Sequence, residues 1–305
     1  MTIWNQIYND KQKIRIDHYL KQVLNITRSF VSNLIKDKLV FVNNILINKP
    51  GYLIKQNDLI TVYEKSNKIA KNENLKIRFD VIYEDEYLMV INKPKNLLCH
   101  KTSFNETDTL IDELNQYYLN QLYSLNNLKD LRNGLVHRLD KDTNGLLLVA
   151  KNIDVFNHLK KDLEANKITK LYYALVKNAF SKDIKEFSIS LPLNHIKDST
   201  KIKVDKNGKE AITKVKVLQN FKNASLVQCN LLTGRTHQIR VHLSAINHPI
   251  LNDPLYNSDQ IEDDNYQYLM AYKIQFNHPI TNKFMEFELD LTDLFKNKIS
   301  ILKKE

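Results

Sequence analysis

The sequence is poor in the residues that most often mark unusual backbone shape or special chemistry. Of its 305 residues only five are glycine and two are cysteine, and only seven of the 45 basic residues are arginine. Where glycine and arginine are this rare, we expect each to be needed for its backbone freedom or for its bidentate guanidinium. The two cysteines, Cys99 and Cys229, lack the spacing of metal ligands, so both are expected to pack as small apolar side chains.

Long hydrophobic runs are missing as well. Apolar segments such as Leu146–Ala150 are far too short to cross a bilayer, and the first 20 residues lack the pattern of a signal peptide. No GxGxxG or P-loop pattern is present, so we expect no nucleotide cofactor. A cytoplasmic location and one large or two unequal domains are predicted for this chain, which is 43% hydrophobic and 26% charged.

The charge is unevenly distributed along the chain. The net charge is +10; residues 1–75 carry 12 basic and 6 acidic residues, whereas the rest of the chain carries 33 and 29. A short segment this basic favours a polyanionic partner, above all a nucleic acid. The alternative is that a lysine-rich surface only keeps the protein in solution.

Residues 1–65 have the pattern of a small separate domain. Its predicted elements are a helix from Arg15, a second helix capped by Thr27, and strands at Val40–Val42 and Leu59–Tyr63. Lys36 and Lys38, near the end of the second helix, are expected to face a phosphate backbone. Residues 66–76 are polar, rich in lysine and asparagine and without periodicity, and they are predicted to form a linker.

Residues 77–305 are predicted to form a larger α+β domain. Strands joined by hairpins, with helices interspersed, favour a mixed, mostly antiparallel central sheet flanked by helices. The dipeptide Asn207-Gly208 lies between two apolar segments and predicts a hairpin in which residues 203–204 pair with residues 211–212. A final pair of strands is predicted on either side of residues 277–279.

The segment GLVHRLDKDTNGLLLVAK, residues 134–151, places many polar groups between two apolar runs. Both runs are predicted to be buried strands, and loops that leave rigid strands commonly hold catalytic groups. The candidates are His137, Arg138 and Asp140. The two residues before Leu139 are expected to point to opposite sides, so that one faces the partner while the other supports the turn. The alternative is an ordinary solvated turn.

A second segment, residues 231–243, contains a glycine and two arginines. A strand is expected to end there, and Thr236 to cap a helix that carries His237 and Arg240 on one face. A helix N-terminus flanked by Arg235 and Arg240 suits a phosphate or a carboxylate. The alternative is that both arginines form structural ion pairs with surface carboxylates.

Metal binding is the rival interpretation of the histidines. His137, Asp140, His237 and His242 are residue types that bind zinc, and three ligands plus a water molecule would make a hydrolase. The last two histidines, however, are five positions apart on a helix, so their side chains diverge by roughly 140°. We therefore expect neither a metal nor any other cofactor.

Several motifs, in order along the chain, resemble those of one enzyme family. HRLDKDTNG at residues 137–145 resembles the HRLDxxTSG signature of the RluA/RluD-type pseudouridine synthases, and KLYYAL at 170–175 resembles their KxYxA segment. TGRTHQIRVH at 233–242 resembles their TGRxHQxRVH segment, and HPILNDPLY at 248–256 follows in the family order. The resemblance covers nearly the whole chain.

The N-terminal segment resembles the small RNA-binding domain that is named after a ribosomal small-subunit protein and that many members of this family carry. The matching residues are the R-x-D-x-x-L helix from Arg15 and the strand VFVN from Val40. The chain departs from both patterns at a few positions: Lys38, Asn44, Asn96 and Asn252 stand where glycine is usual, and Asn144 stands where serine is usual.

The resemblance implies an enzyme that converts uridine to pseudouridine without a cofactor, and large-subunit ribosomal RNA is the expected substrate. It implies that Asp140 is the nucleophilic carboxylate, Arg235 its ion-pair partner, and Tyr172 the aromatic side chain beside the target base. From its residue type alone, Tyr172 would be assigned to core packing. RNA contacts are expected from Arg138, His137, His237, Arg240, Lys36 and Lys38.

Two alternatives remain open at the level of sequence. One is a catalytically silent RNA-binding or ribosome-assembly factor with the same fold. The other is a synthase that acts on transfer RNA. A monomer is the default expectation, with no membrane partner.

Overall fold

The computed structural model describes residues 2–24, 28–63, 77–100, 108–120, 134–196, 199–257 and 266–304. The chain divides into two compact units, residues 1–74 and 75–305. The division falls in the segment predicted as a linker, residues 66–76, which lies outside the described residues. Within the described ranges, no helix is long and apolar enough to cross a membrane.

The first unit packs two helices against a small antiparallel sheet. Its elements are β1 (Thr2–Ile7), β2 (Ile14–Arg15), α1 (Ile16–Val23), α2 (Arg28–Lys36), β3 (Val40–Val42), β4 (Ile45–Leu46), β5 (Leu53–Ile54) and β6 (Leu59–Tyr63). Four strands form a sheet in the order β1-β6-β3-β4, and β2 pairs with β5. Ile16, Leu20, Val31 and Ile60 are fully buried between the helices and the sheet. Thr27, the predicted N-cap, lies outside the described residues.

Asparagine fills most of the left-handed backbone positions in this glycine-poor chain. Among the described residues, twelve other than glycine have a positive φ, and nine of these are asparagine. They include Asn44 (φ 65°), Asn96 (φ 60°) and Asn252 (φ 57°), together with Lys38 (φ 61°). All four stand where the family patterns usually have glycine. Asparagine tolerates this conformation because its short polar side chain can bond locally, whereas Lys38 has no such compensation.

The second unit is built on one large mixed sheet. The strands of this unit are β7 (Asp80–Glu84), β8 (Leu88–Lys93), β9 (Asn144–Ala150), β10 (Thr169–Lys177), β11 (Glu186–Ser190), β12 (Leu193–His195), β13 (Ile202–Val204), β14 (Ile212–Asn220), β15 (Ala224–Leu231), β16 (Leu269–Asn277) and β17 (Phe284–Glu288). The sheet has the order β11-β14-β15-β10-β16-β9-β8-β7, and β17 also pairs with β16. The β9–β16 pair is parallel and the other pairs in this sheet are antiparallel. The predicted α+β class is confirmed.

Helices supply apolar side chains to both faces of this sheet. They are α3 (Leu110–Asn120), α4 (Ile153–Glu164), α5 (Gln238–Ala245) and α6 (Asp293–Leu302). Helix α4 packs into a cluster that includes Leu146 and Leu148 of β9. The other three helices contribute to a larger cluster that includes Leu147 and Val149. Since side chains alternate along a strand, β9 is covered on both faces, and all seven of its residues are buried.

The hairpin predicted from Asn207-Gly208 was wrong in its pairing. The turn exists, because the Gly208 N–H donates to the Asp205 carbonyl over 2.7 Å. Strand β13, however, pairs with β12 rather than with the chain after the turn. Leu193 of β12 exchanges backbone hydrogen bonds with Lys209, and its backbone lies where a side chain on Gly208 would be. Strand β12 therefore occupies the space between the two segments that were expected to pair.

Glycine is required where β9 meets β16. Gly145 has a φ of 125°, and a Cβ atom there would lie 2.1 Å from the carbonyl oxygen of Ala271. The missing side chain allows Asn144 and Gly145 to run parallel to Met270 and Ala271. The turn that carries Asp140 immediately precedes this contact, so the close approach of the two strands positions that turn.

Candidate active site

Asp140 lies in the turn that leads into β9, and its backbone is held from two directions. The N–H of Thr143 donates to the carbonyl oxygen of Asp140 over 3.2 Å and closes the turn. The preceding residue, Leu139, is fixed by Cys99, whose thiol donates to the Leu139 carbonyl and whose sulfur accepts from the Leu139 N–H. The side chain of Asp140 is 18% exposed. Its carboxylate is thus rigidly placed yet reachable from solvent.

A buried lysine fixes the other side of this turn. Lys93 is fully buried, and its Nζ donates to the carbonyl oxygens of Pro94, Leu97 and Lys141 at 2.8 to 3.1 Å. Burial lowers the pKa of Lys93 to about 8. The three carbonyl dipoles replace the water around the ammonium group. Through these hydrogen bonds Lys93 connects residues 94–97 to Lys141, the residue that follows Asp140.

The ion-pair partner of Asp140 is Arg240 of helix α5. Arg240 Nη1 lies 3.1 Å from Asp140 Oδ2, while Nε and Nη2 bind both carboxylate oxygens of Asp253 at 2.7 and 2.9 Å. Asp253 is fully buried and also accepts from Gln267 Nε2 and from the N–H groups of Leu255 and Tyr256. Burial alone would lower the pKa of Arg240, but the bond and charge of Asp253 outweigh it and raise this pKa.

Two expectations for the arginines are corrected by this geometry. Arg235 was expected to pair with Asp140, but it is exposed and its Nε donates to the carbonyl of Glu210 over 3.0 Å. Arg240 was expected to contact RNA, but its side chain is only 5% exposed and its guanidinium is bound to two carboxylates. Arg240 therefore forms structural ion pairs, as the alternative predicted, but with the buried Asp253 and the mostly buried Asp140 rather than with surface carboxylates.

His237 approaches Asp140 from the start of helix α5. Its Nε2 lies 3.9 Å from Asp140 Oδ2. His237, and not Thr236 as predicted, is the N-cap residue, and its backbone is left-handed with a φ of 53°. Burial lowers the pKa of His237 more than the charge of Asp140 raises it, so the imidazole is neutral at pH 7.

Tyr172 lies in the wall of the pocket that contains Asp140. Its side chain belongs to the large apolar cluster and the residue is only 4% exposed, so the core-packing interpretation holds as well. Burial raises the pKa of Tyr172, and the nearby charge of Asp140 raises it further. The phenol therefore keeps its proton across the physiological pH range.

Two cavities are lined by Asp140. The smaller, of about 50 Å³, is also lined by Tyr172, Leu231, Arg235 and Leu269. The larger, of about 570 Å³, has polar and basic lining residues that include His100, Arg138, Lys141, His195 and Thr200. A small pocket with an aromatic wall suits a flat ring, and a larger basic groove suits a polyanion.

Arg138 and His137 point to opposite sides, as predicted, although the buried strand expected before them is not formed: residues 135–139 contain only an isolated bridge from Leu135 to Val149. Arg138 is exposed in the groove, with its Nη1 3.3 Å from His100 Nε2. The expected RNA contact of His137 is corrected, because its Nε2 accepts the N–H of Leu148 at 3.2 Å and its Nδ1 is buried. Burial lowers the pKa of His137 to about 3, so it is a neutral support for strand β9.

The remaining predicted residues have clear positions. Lys36 and Lys38 are exposed in the first unit. His242 is buried, with its Nε2 at the Leu191 carbonyl and its Nδ1 at the Thr213 hydroxyl. Across the described part of the chain, no group of three or more His, Cys, Asp or Glu side chains is arranged to hold a metal ion.

Sequence reasoning missed the residues that support Asp140. Asp253 and Tyr256 both belong to the segment HPILNDPLY, which was noticed as a match to the family order but was given no role. Lys93 was given no role either. The signal that could have found Asp253 is a carboxylate between two prolines of an otherwise apolar segment, since a buried carboxylate requires a cation.

The site combines a carboxylate held in an ion pair, a small pocket with an aromatic wall and a larger basic groove. Together with the small basic domain of the same chain, these features are those of an RNA-modifying enzyme. Residues 87–245 match the family model described as RNA pseudouridylate synthase, and residues 14–60 match that of the S4 domain. The chain belongs to the RNA pseudouridine synthase family, whose members isomerise uridine in RNA. The resemblance found in the sequence is thereby confirmed for both segments.

Individual relatives agree with this assignment. An uncharacterized RNA pseudouridine synthase of Mycoplasma pneumoniae is 39% identical over 298 residues, which cover 94% of this chain and 92% of the relative. Ribosomal large subunit pseudouridine synthase D of Buchnera aphidicola is 35% identical over 294 residues, 91% of each chain. The solved structure of human RNA pseudouridylate synthase domain containing 4 shares the fold, with a TM-score of 0.57 at 22% identity over 77% of this chain and 97% of that chain.

Proposed function

We propose that this protein isomerises specific uridines of large-subunit (23S) ribosomal RNA, with Asp140 as the catalytic carboxylate. The observation that carries the proposal is that Asp140 is fixed by Arg240 at the meeting point of a small aromatic pocket and a basic groove. A relative that matches over 91% of both chains is named for the large ribosomal subunit. The protein acts in the cytoplasm as a monomer.

The reaction breaks the C1′–N1 bond of uridine, rotates the uracil and forms a C1′–C5 bond. The hydrogen on C5 leaves as a proton and N1 gains one, so no redox agent is consumed. The Asp140 carboxylate adds to a ribose or ring carbon, or stabilises positive charge at C1′ as N1 departs. The target uridine has to leave its stack to reach Asp140.

The neighbours of Asp140 divide the remaining tasks. Tyr172 stacks on the uracil, and its protonated hydroxyl is available for proton transfer at the ribose. Arg235, at the exposed edge of the same pocket, contacts the RNA backbone rather than Asp140. Arg138 and Lys141 hold flanking phosphates in the groove, and Lys36 and Lys38 of the S4 domain add sequence-independent affinity.

The test is tritium release from RNA labelled with [5-³H]uridine, because the isomerisation expels the hydrogen on C5. The natural enzyme is expected to release tritium from 23S RNA, and Asp140→Asn to release none while binding the same RNA with similar affinity. Asp154→Asn is the matched control, since Asp154 is an exposed acid in the first turn of α4. Release by Asp140→Asn would exclude Asp140 as the catalytic carboxylate, and release from transfer RNA alone would correct the substrate.

A further inference from the structure

The side chain of His237 is directed at Asp140 by a strained backbone. Its φ of 53° is a left-handed conformation that is unfavourable for a residue with a Cβ atom. Its side chain is 13% exposed and makes no capping bond to helix α5. Strain of this kind persists where the surrounding structure requires it, and it is common at active sites.

The hydrogen bonds around Tyr256 have a defined direction. The backbone N–H of Ile202 in β13 can only donate, and it lies 2.8 Å from Tyr256 Oη. The Tyr256 hydroxyl, as an acceptor from Ile202, has its own proton left to donate, and His237 Nδ1 lies 3.0 Å away. Among the described contacts these are the two hydrogen-bond partners of this hydroxyl, so the proton points to Nδ1.

An imidazole that accepts at Nδ1 carries its proton on Nε2. In His237 this N–H faces the carboxylate of Asp140, 3.9 Å from Oδ2. The opposite tautomer would turn a lone pair toward the negative carboxylate and would leave the Tyr256 proton unbonded. Electrostatics and hydrogen bonding thus select the same tautomer.

Tyr256 also contacts the second group that faces Asp140. The guanidinium carbon of Arg240 lies 5.2 Å from the centre of the Tyr256 ring, within cation–π range. The ring meets that of His237 edge to face at 5.8 Å. Tyr256 therefore contacts two side chains that approach Asp140: Arg240 through its ring and His237 through its hydroxyl.

We propose that Tyr256 is a positioning residue that fixes the Nε2–H tautomer of His237, so that this N–H is ready to donate to Asp140 or to a uridine oxygen bound against it. The inference rests on the proposed function for its kinetic consequence, but not for the tautomer itself. The bond from Ile202 also ties this arrangement to the β12–β13 hairpin, whose residues His195 and Thr200 (the latter in its connecting loop) line the groove.

The tautomer is tested directly by ¹⁵N NMR of the full chain labelled at histidine ring nitrogens. The His237 signal is assigned by its loss in His237→Gln. In the natural protein we expect a protonated Nε2 and an unprotonated Nδ1 at pH 7.5, and in Tyr256→Phe a mixture of the two tautomers. A protonated Nδ1 in the natural protein, or an unchanged spectrum in Tyr256→Phe, overturns the proposal.

The kinetic test is a double-mutant cycle of tritium release, with labelled total RNA from cells that lack the gene as substrate. Tyr256→Phe is expected to lower kcat about tenfold with KM changed less than about twofold, the scale of one lost hydrogen bond. In His237→Gln, whose amide donates without tautomer control, the same change is expected to alter kcat less than about twofold. Tyr83→Phe is the matched control. Tyr83 lies in β7, and its hydroxyl donates a hydrogen bond to Asp85 in the turn that follows, so its loss is expected to leave the kinetics unchanged.

The outcomes separate this proposal from the proposed function. Equal losses of kcat for Tyr256→Phe in both backgrounds mean that Tyr256 does not act through His237, and a rise of KM alone means a role in RNA binding; either result overturns the positioning role. No tritium release by the natural enzyme rejects the proposed function, whereas the NMR result still decides the tautomer.

Discussion

Arg240 binds Asp140 with one edge of its guanidinium while Asp253, which is fully buried, occupies the other. Arg240→Met removes the cation and leaves a buried carboxylate unpaired, so we expect the free energy of unfolding to fall by about 3 to 5 kcal/mol. Urea unfolding followed by circular dichroism measures this loss. Arg235→Met is the control, because Arg235 is exposed and its removal is expected to cost less than about 0.5 kcal/mol. Equal losses for the two variants would show that the buried pair has no special weight.

Neighbouring tyrosines on β10 allow a comparison between the two faces of the sheet. Tyr172 lines the pocket with Asp140, whereas the Tyr173 ring stacks on Tyr272 at 3.6 Å. Tyr172→Phe is expected to lower kcat for tritium release by about 10²-fold, since it removes the hydroxyl that we propose to transfer a proton at the ribose. Tyr173→Phe is expected to stay within about twofold of the natural enzyme, because its ring lies away from the pocket. Full activity of Tyr172→Phe would reduce Tyr172 to a stacking and packing role.

His137 makes stability depend on pH. Burial lowers its pKa to about 3, below the ordinary value near 6.5. Between these two pH values the unfolded chain binds a proton at His137, whereas the folded protein does not. The stability from neutral His137 is complete above pH 6.5 and falls as the pH drops toward 3. Between pH 7.5 and pH 5 we expect this group to account for a loss of about 1 to 2 kcal/mol.

The measurement for His137 is urea unfolding at these two pH values. His137→Gln, whose amide oxygen can still accept the Leu148 N–H, should lose less stability between them than the natural protein does. His195→Gln, a change at an exposed histidine, should follow the natural protein. An unaltered pH dependence in His137→Gln would show that protonation of His137 is not the cause of the loss.

Two glycines near the site differ in the space around them. Gly145→Ala would place a Cβ atom 2.1 Å from the Ala271 carbonyl at a φ of 125°, whereas Gly234 has no atom within 4 Å of that position. Gly145→Ala is expected to destabilise the protein by about 2 to 4 kcal/mol, the combined scale of overpacking and backbone strain. Gly234→Ala is expected to be within about 0.5 kcal/mol of the natural protein. Thermal unfolding compares them, and a stable, active Gly145→Ala would show that β9 and β16 can separate without cost.

Lys36 and Lys38, which are exposed in the S4 domain, are expected to bind RNA through the charge of its phosphates. The double variant Lys36→Gln/Lys38→Gln should weaken RNA binding and reduce the slope of log affinity against log salt by about 1 to 2. Filter binding from low to moderate salt measures both quantities. Lys303→Gln/Lys304→Gln removes the same charge from the exposed end of the chain after α6, and an identical slope change in this control would assign the effect to net charge alone.

Sequence patterns were informative about local structure and about the chemistry of single residues. The scarcity of glycine predicted a special backbone need at each one, and Gly134 and Gly145 do have a positive φ, whereas Gly51 and Gly234 do not. His137 and Arg138 point to opposite sides as predicted, although the structure places neither of them in a β-strand. Where these inferences succeed, they depend on residues that are adjacent in the chain.

The choice between Arg235 and Arg240 could not be made from the sequence. It depends on the direction in which helix α5 presents its first turn, and the helix was expected to be capped by Thr236. The N-cap is instead His237, whose left-handed backbone sets the direction in which the chain enters the helix. In the same way, β12 pairs with β13 because the backbone of Leu193 packs against Gly208. The Asn-Gly pattern predicts a turn but does not predict which strand packs against it.

The order of the chain gives the Asp140–Arg240–Asp253 network a consequence for synthesis. Asp140 is made well before Arg240, Asp253 and Gln267, which orient it, and before β16, against which Gly145 is aligned. The S4 domain leaves the ribosome before the catalytic unit does. A growing chain thus acquires its S4 domain long before the residues that orient Asp140, and the proposed active site is complete only once β16 has been made.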